Sequence, residues 1–273
     1  MASSRTLKQG IIAAGYIVFL GTILFVVYYL FIRVPPTCTD GKQNQDEMGI
    51  DCGGICSNQC EPPLNAKDII TREVAFMPAD RSGYDVMARI YNPNDIAGAS
   101  QFSYKLALRD ATGAILSEET GTSFILPQET KYLFAFHLSS LAKPTNVTIE
   151  ISQVVWERFQ GFKERPRVMV VKQKYDRIQS GPGYGVATGL VMNESPFDFR
   201  SLLVKVVLRD SVGKPLAINS TEMLTMPSKE QRDFRLVWPT SFPGEVKNVE
   251  MLVDVDIYHS ENLIKQSSTV TPF

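Results

Sequence analysis

Two stretches of this chain repeat each other at a constant distance of one hundred residues. Residues 108–116, LRDATGAIL, return as LRDSVGKPL at residues 208–216. Further matches at that offset pair Gly83-Tyr84 with Gly183-Tyr184, Leu126-Pro127 with Met226-Pro227, and Phe134 with Phe234. A constant offset over more than fifty residues indicates two copies of one structural unit. The chain is therefore expected to fold as a tandem pair.

Both copies carry the residue pattern of β-strands. Apolar residues alternate with more polar ones at Phe102, Tyr104, Leu106 and Leu108, and in the same register at Leu202, Val204, Val206 and Leu208. Period-two alternation buries one face of a strand and exposes the other. Further β-rich runs lie at residues 70–76, 84–91, 132–138 and 147–156, and at 168–175, 184–192, 234–238 and 249–258. Short strands at this spacing predict two β-sandwiches.

A turn signal follows the alternating strand in each copy. Residues 110–113 and 210–213 begin with aspartate and end with glycine. Glycine adopts a positive φ without strain, so both segments predict hairpin turns.

An uncharged apolar run, residues 10–32, precedes the repeat. A helix of 23 residues spans a hydrocarbon core of about 30 Å. Tyr16, Tyr28 and Tyr29 lie towards its ends, where aromatic rings suit the membrane interface. The run is longer than the apolar part of a secretory signal, and no A-x-A-like cleavage site follows it. An uncleaved transmembrane anchor is therefore favoured over a signal peptide.

All four cysteines, Cys38, Cys52, Cys56 and Cys60, follow that run. Their spacing leaves the first cysteine without the near partner that zinc sites require, and a thioredoxin-like C-x-x-C is absent. Cysteines confined to 23 residues predict two disulfides in an oxidising compartment, with three connectivities open. We therefore place residues 1–9 in the cytoplasm and the chain beyond the span outside it.

Oxygen-bearing side chains lie between these cysteines, at Asp40, Asn44, Glu47 and Asp51, among glycine-rich turns. Such loops suit Ca²⁺, which takes six to eight oxygen ligands in flexible geometry. We predict these four residues as candidate calcium ligands, although their spacing is not that of an EF-hand. The alternative is a solvated acidic loop closed by the disulfides.

Two resemblances follow from these motifs. Residues 38–56 fit C-x-D-G-x-x-N-x-x-E-x-x-x-D-C-G-G-x-C, which resembles a short cysteine-rich module of bacterial surface proteins. The two copies resemble FxLYD-type domains of cell envelopes at Leu106, Leu108, Asp110 and Gly113, and at Val206, Leu208, Asp210 and Gly213. Arg109 and Arg209 stand where that pattern has tyrosine. The resemblance implies surface exposure and a binding module, and no reaction.

Several function classes are disfavoured by the sequence. A net charge of −1 argues against nucleic-acid binding. His137 and His259 stand apart near strand ends, and no G-x-S-x-G, H-E-x-x-H or Walker A motif is present. We expect no enzyme activity, no small-molecule substrate, and no cofactor other than the calcium considered above.

Three Asn-x-Ser/Thr sequons, at Asn146, Asn193 and Asn219, complete the motifs. In a chain of the secretory pathway they would mark exposed sites for glycosylation.

The predicted fold class is all-β, with two tandem immunoglobulin- or fibronectin-like β-sandwiches. The predicted order is a cytoplasmic tail at 1–9, a transmembrane helix at 10–33, a disulfide-rich module at 34–64, sandwiches at 65–158 and 159–262, and a terminal tail at 263–273. We expect a single-pass, membrane-anchored, extracytoplasmic binding or scaffold protein with a protein partner in the envelope. The alternative is a structural or regulatory subunit of an envelope complex, such as a secretion system, a pilus or an envelope enzyme.

Overall fold

The computed structural model describes residues 3–29, 37–44, 46–79, 83–159 and 165–264. The chain divides into one compact unit that ends at Pro63 and a second that begins at Leu64. The described part is mostly β-strand, with one α-helix near the N-terminus, so the predicted all-β class is confirmed.

The first unit begins with helix α1, Ser3–Val27. Within it, Lys8–Val27 is long and apolar enough to cross a membrane, and its side chains are exposed. Apolar residues on all sides of a helix are typical of a membrane span. A signal sequence passes the same test of length and composition. The helix starts within the predicted tail, and residues 30–33 of the predicted span lie outside the described residues.

The second part of this unit is the cysteine module. Cys38 is bonded to Cys56 and Cys52 to Cys60, so both predicted disulfides are present and one connectivity is selected. Within its described residues, the module forms turns and an isolated β-bridge between Gly49 and Cys52. Covalent bridges therefore stand where a larger domain would have a hydrophobic core.

The second unit contains two sets of six antiparallel strands. The first copy comprises β1 Ile70–Pro78, β2 Gly83–Tyr91, β3 Ala97–Arg109, β4 Ile115–Ile125, β5 Thr130–Ser139 and β6 Asn146–Arg158. The second comprises β7 Val168–Arg177, β8 Gly185–Asn193, β9 Asp198–Arg209, β10 Pro215–Met226, β11 Gln231–Trp238 and β12 Asn248–Asp254. A two-residue strand, β13 Leu263–Ile264, lies in the predicted terminal tail and pairs with β9.

The two copies share one topology. The first forms sheets of order β1-β2-β5 and β4-β3-β6, and the second forms β7-β8-β11 and β10-β9-β12. In each copy the two sheets enclose a core, which includes Phe102, Leu106 and Leu108 in the first and Val204 and Val206 in the second. These are positions that the period-two pattern assigned to the buried face.

The predicted hairpin turns are present in both copies. Asp110 Oδ1 accepts hydrogen bonds from the amides of Thr112 and Ala114, at 2.8 and 3.0 Å. Asp210 makes the equivalent pair of bonds in the second copy. Gly113 and Gly213 have φ values of 86° and 84°, which a residue with a Cβ rarely adopts.

A buried asparagine closes the end of each sandwich. The Asn92 Nδ2 group donates to the carbonyls of Ala97 and Leu126. Asn193 Nδ2 donates to the carbonyls of Phe197, Met226 and Pro227. Asn193 is 1% exposed, so the sequon that begins there does not present a free amide for glycosylation. Asn146 is exposed.

Candidate functional site

The two sandwiches pack directly on each other, with the outer face of β1-β2-β5 against the outer face of β9-β10-β12. The apolar part of this interface joins Met77, Met87, Tyr132 and Phe134 of the first copy to Val207 and Ile218 of the second. Because these side chains are buried away from both sandwich cores, the second unit has a third core between the copies.

The equivalent face of the first copy has a different composition. Glu118 pairs with Ala107 across its hairpin, whereas Ile218 pairs with Val207 at the same register of the second copy. Opposite Lys105 stands the exposed Glu150, and opposite Lys205 stands the partly buried Leu252. At these two positions the exposed face of the first copy has carboxylates, and the docked face of the second copy has aliphatic side chains.

An arginine cluster, formed by Arg209, Glu73, Tyr132 and Glu250, crosses the interface. Arg209 Nη1 and Nη2 donate to the two carboxylate oxygens of Glu73, each at 2.8 Å. Nη2 also donates to the Tyr132 hydroxyl at 2.9 Å, and Nε lies 2.8 Å from Glu250 Oε1. The Tyr132 hydroxyl donates to Glu250, and burial raises the pKa of Tyr132 to about 12. The contacts of Arg209 with Glu73 and Tyr132, and that of Tyr132 with Glu250, join the two copies through charge-assisted hydrogen bonds, whereas the Arg209–Glu250 pair lies within the second copy.

The equivalent arginine of the first copy makes weaker contacts. Arg109 donates to the Thr148 hydroxyl at 3.0 Å and lies 3.7 Å from Glu150, on a side chain that is 24% exposed. Both arginines also donate to the carbonyl of their own hairpin glycine, at 2.8 Å. That glycine contact is common to both copies, and the contacts of Arg209 with the first copy are additional.

A lysine cluster, formed by Lys131, Lys205 and Asp254, lies beside the arginine cluster. Lys205 Nζ is 2.6 Å from Asp254 Oδ2 and also donates to the Tyr132 carbonyl. Lys131 Nζ is 3.6 Å from the same Oδ2 and 3.3 Å from the centre of the Phe124 ring. All three charged side chains are at least nine-tenths buried. Two ammonium groups therefore share one carboxylate inside the protein.

The protonation of this cluster follows from its burial. Desolvation lowers the pKa of Lys205 from its ordinary value, although Asp254 opposes that shift. Desolvation alone would raise the pKa of Asp254, but the ammonium groups of Lys131 and Lys205 outweigh it and hold that pKa below its ordinary value. Asp254 is thus kept ionised by the two lysines.

The lysine cluster forms one wall of a cleft of about 640 Å³ between the copies. Aromatic side chains provide further walls, at Tyr104, Phe124, Phe134 and Phe136. Exposed polar groups line the opening, including Arg200 and His259. His259 Nδ1 is 2.7 Å from Asp256 Oδ2, so this histidine is paired with a neighbouring carboxylate. A cleft with apolar walls and a few charged groups is the usual form of a ligand site.

The predicted calcium residues lie together in the cysteine module. Asp51 accepts hydrogen bonds from the amides of Asp40 and Gly41, both at 2.9 Å. The Asn44 side-chain amide donates to Asp40 Oδ2 at 2.8 Å and lowers the pKa of that carboxyl, and the Asn44 amide N–H donates to Glu47. These bonds give all three carboxylates partners within the module. Calcium binding stays a prediction, which calorimetric titration of the chain with Ca²⁺ tests.

A second group of ligand-type atoms in the module brings Glu47 close to the sulfurs of Cys38 and Cys56. These two sulfurs are bonded to each other, so neither is available as a thiolate ligand.

The cleft was not predicted from the sequence, although a signal for it was present. Lys205 interrupts the apolar strand LLVKVVL, and Lys131 directly precedes the apolar run YLFAF. A lysine within an apolar strand is expected to have a buried partner or a role at a site. The partner, Asp254, is distant in the chain from Lys131, and the sequence does not reveal that pairing.

Comparison with known proteins adds a structural neighbour and no family. No protein-family model matches this chain, and no curated protein matches it. Among 48 chains of solved structures that match is the crystal structure of red sea bream transglutaminase, with 9% sequence identity and a TM-score of 0.25. The alignment covers 70% of this chain and 29% of that chain, so this chain spans less than a third of that protein. A TM-score at this level supports no conclusion about fold or function.

Proposed function

We propose that this chain is a single-pass membrane protein that presents its two β-sandwiches outside the cytoplasm as one rigid unit for binding a protein partner. Its apolar N-terminal helix and its disulfides fit a membrane-anchored extracellular protein. The cleft between the sandwiches supports the binding role, because both copies contribute its walls.

Rigid coupling of the copies favours this role. A site shared by two domains keeps its shape only if the domains do not move relative to each other. Here an apolar core, the partly buried arginine cluster and the buried lysine cluster join the copies. The cleft is therefore preformed, and a partner that binds it does not have to order it first.

The orientation in the membrane is tested by limited proteolysis of intact cells or spheroplasts. Tags at the two ends of the chain report which side of the membrane each occupies. We expect added protease to remove the C-terminal tag and to spare the N-terminal one. Protection of the C-terminal tag until the membrane is permeabilised would contradict the proposed orientation.

The binding role is tested by copurification from membranes in a mild detergent. Thr122 and Thr120 are both exposed on β4, and Thr122 lines the cleft. We expect Thr122→Trp to release a stoichiometric partner and the matched variant Thr120→Trp to retain it. A partner that remains bound to Thr122→Trp would instead favour a structural subunit that is held by another surface.

A further inference from the structure

The wall of the cleft that the lysine cluster forms carries more positive than negative charge. Lys131 and Lys205 contribute two ammonium groups, and Asp254 contributes one carboxylate. Glu129, which is also buried, lies close enough to interact with both lysines, and with Asp254 it lines a neighbouring cavity of about 310 Å³. Desolvation raises the pKa of the Glu129 carboxyl, which favours its neutral form, so it offsets the two ammonium groups less than Asp254 does. The Glu129 side chain accepts a hydrogen bond from the Leu126 amide.

Lys131 has unused hydrogen-bonding capacity. Its side chain is 1% exposed, and its Nζ has no hydrogen-bond partner among the described residues, since 3.6 Å to Asp254 exceeds hydrogen-bond length. The Phe124 ring stabilises the charge through a cation–π contact at 3.3 Å, but it has no oxygen or nitrogen lone pair to accept a hydrogen bond. Buried ammonium donors without acceptors are costly, and an incoming anion would remove that cost.

The second copy shows how such a cation is normally accommodated. Ile90 pairs with Lys131, and Val191 pairs with Arg232 at the same register of the second copy. Arg232 donates to the carbonyls of Leu224 and Thr225 and to Glu230, all at 2.6–2.9 Å. All three nitrogens of the Arg232 guanidinium donate hydrogen bonds, whereas Nζ of Lys131 donates none among the described residues.

We propose that the cleft binds a peptide segment through a carboxylate, which accepts hydrogen bonds from Lys131 while an adjacent apolar side chain packs on the aromatic walls. This inference rests on the proposed function, because it names the ligand chemistry of the same cleft. Elsewhere in the lining, Asp256 and Glu261 carry carboxylates, which repel an anion and offset the positive charge of Arg200. An anionic group is therefore expected to bind at the lysine wall and not at the other lining residues.

The dimensions and walls favour an organic carboxylate over a small inorganic anion. A volume of about 640 Å³ falls within the range of about 300–1,000 Å³ that is typical of ligand pockets. Phe124, Phe134 and Phe136 would stay in contact with water if only a small ion were bound. An apolar residue next to the carboxylate covers them and adds the affinity that burial of aromatic surface provides.

The test is calorimetric titration of the full chain in detergent with two probes, acetyl-Phe-Phe with a free C-terminal carboxylate and the same peptide as its C-terminal amide. We expect the carboxylate to bind at least about tenfold more tightly, which corresponds to one charge-assisted hydrogen bond. Lys131→Met should remove most of that preference. The matched variant Lys105→Met removes a partly exposed lysine that is paired with Glu150, and it should retain the preference.

Each outcome decides the inference. Equal affinity for the two peptides, no saturable heat up to about 1 mM, or binding of inorganic phosphate as tight as that of the carboxylate peptide would overturn it. If Lys131→Met does not fold, Lys131→Arg keeps the charge and should keep the preference for the carboxylate, and its loss in a folded Lys131→Arg protein would also count against the inference. A failed peptide test with a partner still released by Thr122→Trp would leave the proposed function intact.

Discussion

Replacement of Arg209 by methionine tests whether the two sandwiches are held together by the arginine cluster. Methionine keeps an unbranched apolar stem of similar reach and removes the guanidinium. The change leaves Glu73, Glu250 and the Tyr132 hydroxyl without the group that joins them. Arg109→Met is the matched control, because Arg109 occupies the equivalent register position and makes the same hairpin contact to a glycine carbonyl.

The expected loss follows from burial and from the number of charged contacts. Removal of one partner of a buried ion pair costs about 3–5 kcal/mol. Arg209 is 6% exposed, but Glu73 and Glu250 are 23% and 38% exposed, so water partly solvates the carboxylates that are left. We therefore expect a loss of about 2–3 kcal/mol for Arg209→Met. Arg109→Met should cost at most about 1 kcal/mol, as is typical of exposed pairs.

The assay uses the two tryptophans of the chain, one in each copy. Trp156 packs against the core of the first copy and Trp238 lies in the core of the second. Trp238→Phe leaves a fluorescence probe of the first copy, and Trp156→Phe leaves a probe of the second. In thermal unfolding of the full chain in detergent, both probes should report one midpoint when Arg209 is present. In Arg209→Met the midpoints should separate and the lower one should fall by about 8–24 °C, the shift that a loss of about 2–3 kcal/mol causes in a domain of about 100 residues.

Two results would refute this reasoning. Equal losses in Arg209→Met and Arg109→Met would assign the effect to the hairpin contact that both copies share. Coincident midpoints that fall together in Arg209→Met would show that the apolar interface alone couples the copies.

Three further predictions concern other parts of the chain. Peptide mapping without reduction should find Cys38 linked to Cys56 and Cys52 linked to Cys60, and any other pairing would contradict the structure of the module. Asn92→Ala and Asn193→Ala should each lower the free energy of unfolding by about 2–3 kcal/mol, because each leaves buried carbonyls without a donor; denaturant titration that shows near-neutral effects would contradict this. The pKa of Asp254 is lower in the folded state than its ordinary value of 3.8, so its stabilising contribution is complete above that value and is lost as the pH falls through the folded pKa. Thermal midpoints should therefore fall more between pH about 5 and pH about 3 for the unaltered chain than for Asp254→Asn, and equal falls would exclude this role.

Much of each sandwich could be predicted from the sequence because strands and turns are local. The alternation around Leu106 and Val206, the aspartate at each hairpin and the glycine at its end all act within a few residues. The predicted run at 249–258 was longer than strand β12, which ends at Asp254. After the strand, Val255 and Ile257 lie in the core of the second sandwich, and Tyr258 contacts the rings of Phe124 and Phe159. Tertiary packing, which the local pattern does not contain, ended the strand.

The match of Phe134 with Phe234 shows why the interface could not be predicted. Phe134 pairs with Met87 and lies in the core between the copies, whereas Phe234 pairs with Gly189 and lies in the core of its own sandwich. In the first copy, the residue at the position equivalent to Phe234 is Leu133, which lies in the core of that copy. A shift of one residue moves a strand side chain to the opposite face. The constant offset of one hundred residues therefore aligned Phe134, which faces the other copy, with Phe234, which faces its own core. For this reason the sequence alignment did not reveal the contact surface between the copies.

When the copies are aligned by structure, they differ at the residues that a further copy would need in order to dock in the same way. Tyr132 and Phe134, which flank Leu133 and meet the second copy, correspond to the exposed charged residues Asp233 and Arg235. A repeat that kept Tyr and Phe there would offer a second apolar face and could add further molecules in an open, head-to-tail array. Among the described residues, the charges at Asp233 and Arg235 on one end, and at Glu118 and Glu150 on the other, replace the apolar contacts that such an array would need. The two copies thus differ at the residues that form the buried interface in one copy and a charged, exposed face in the other, which limits the docking to one pair.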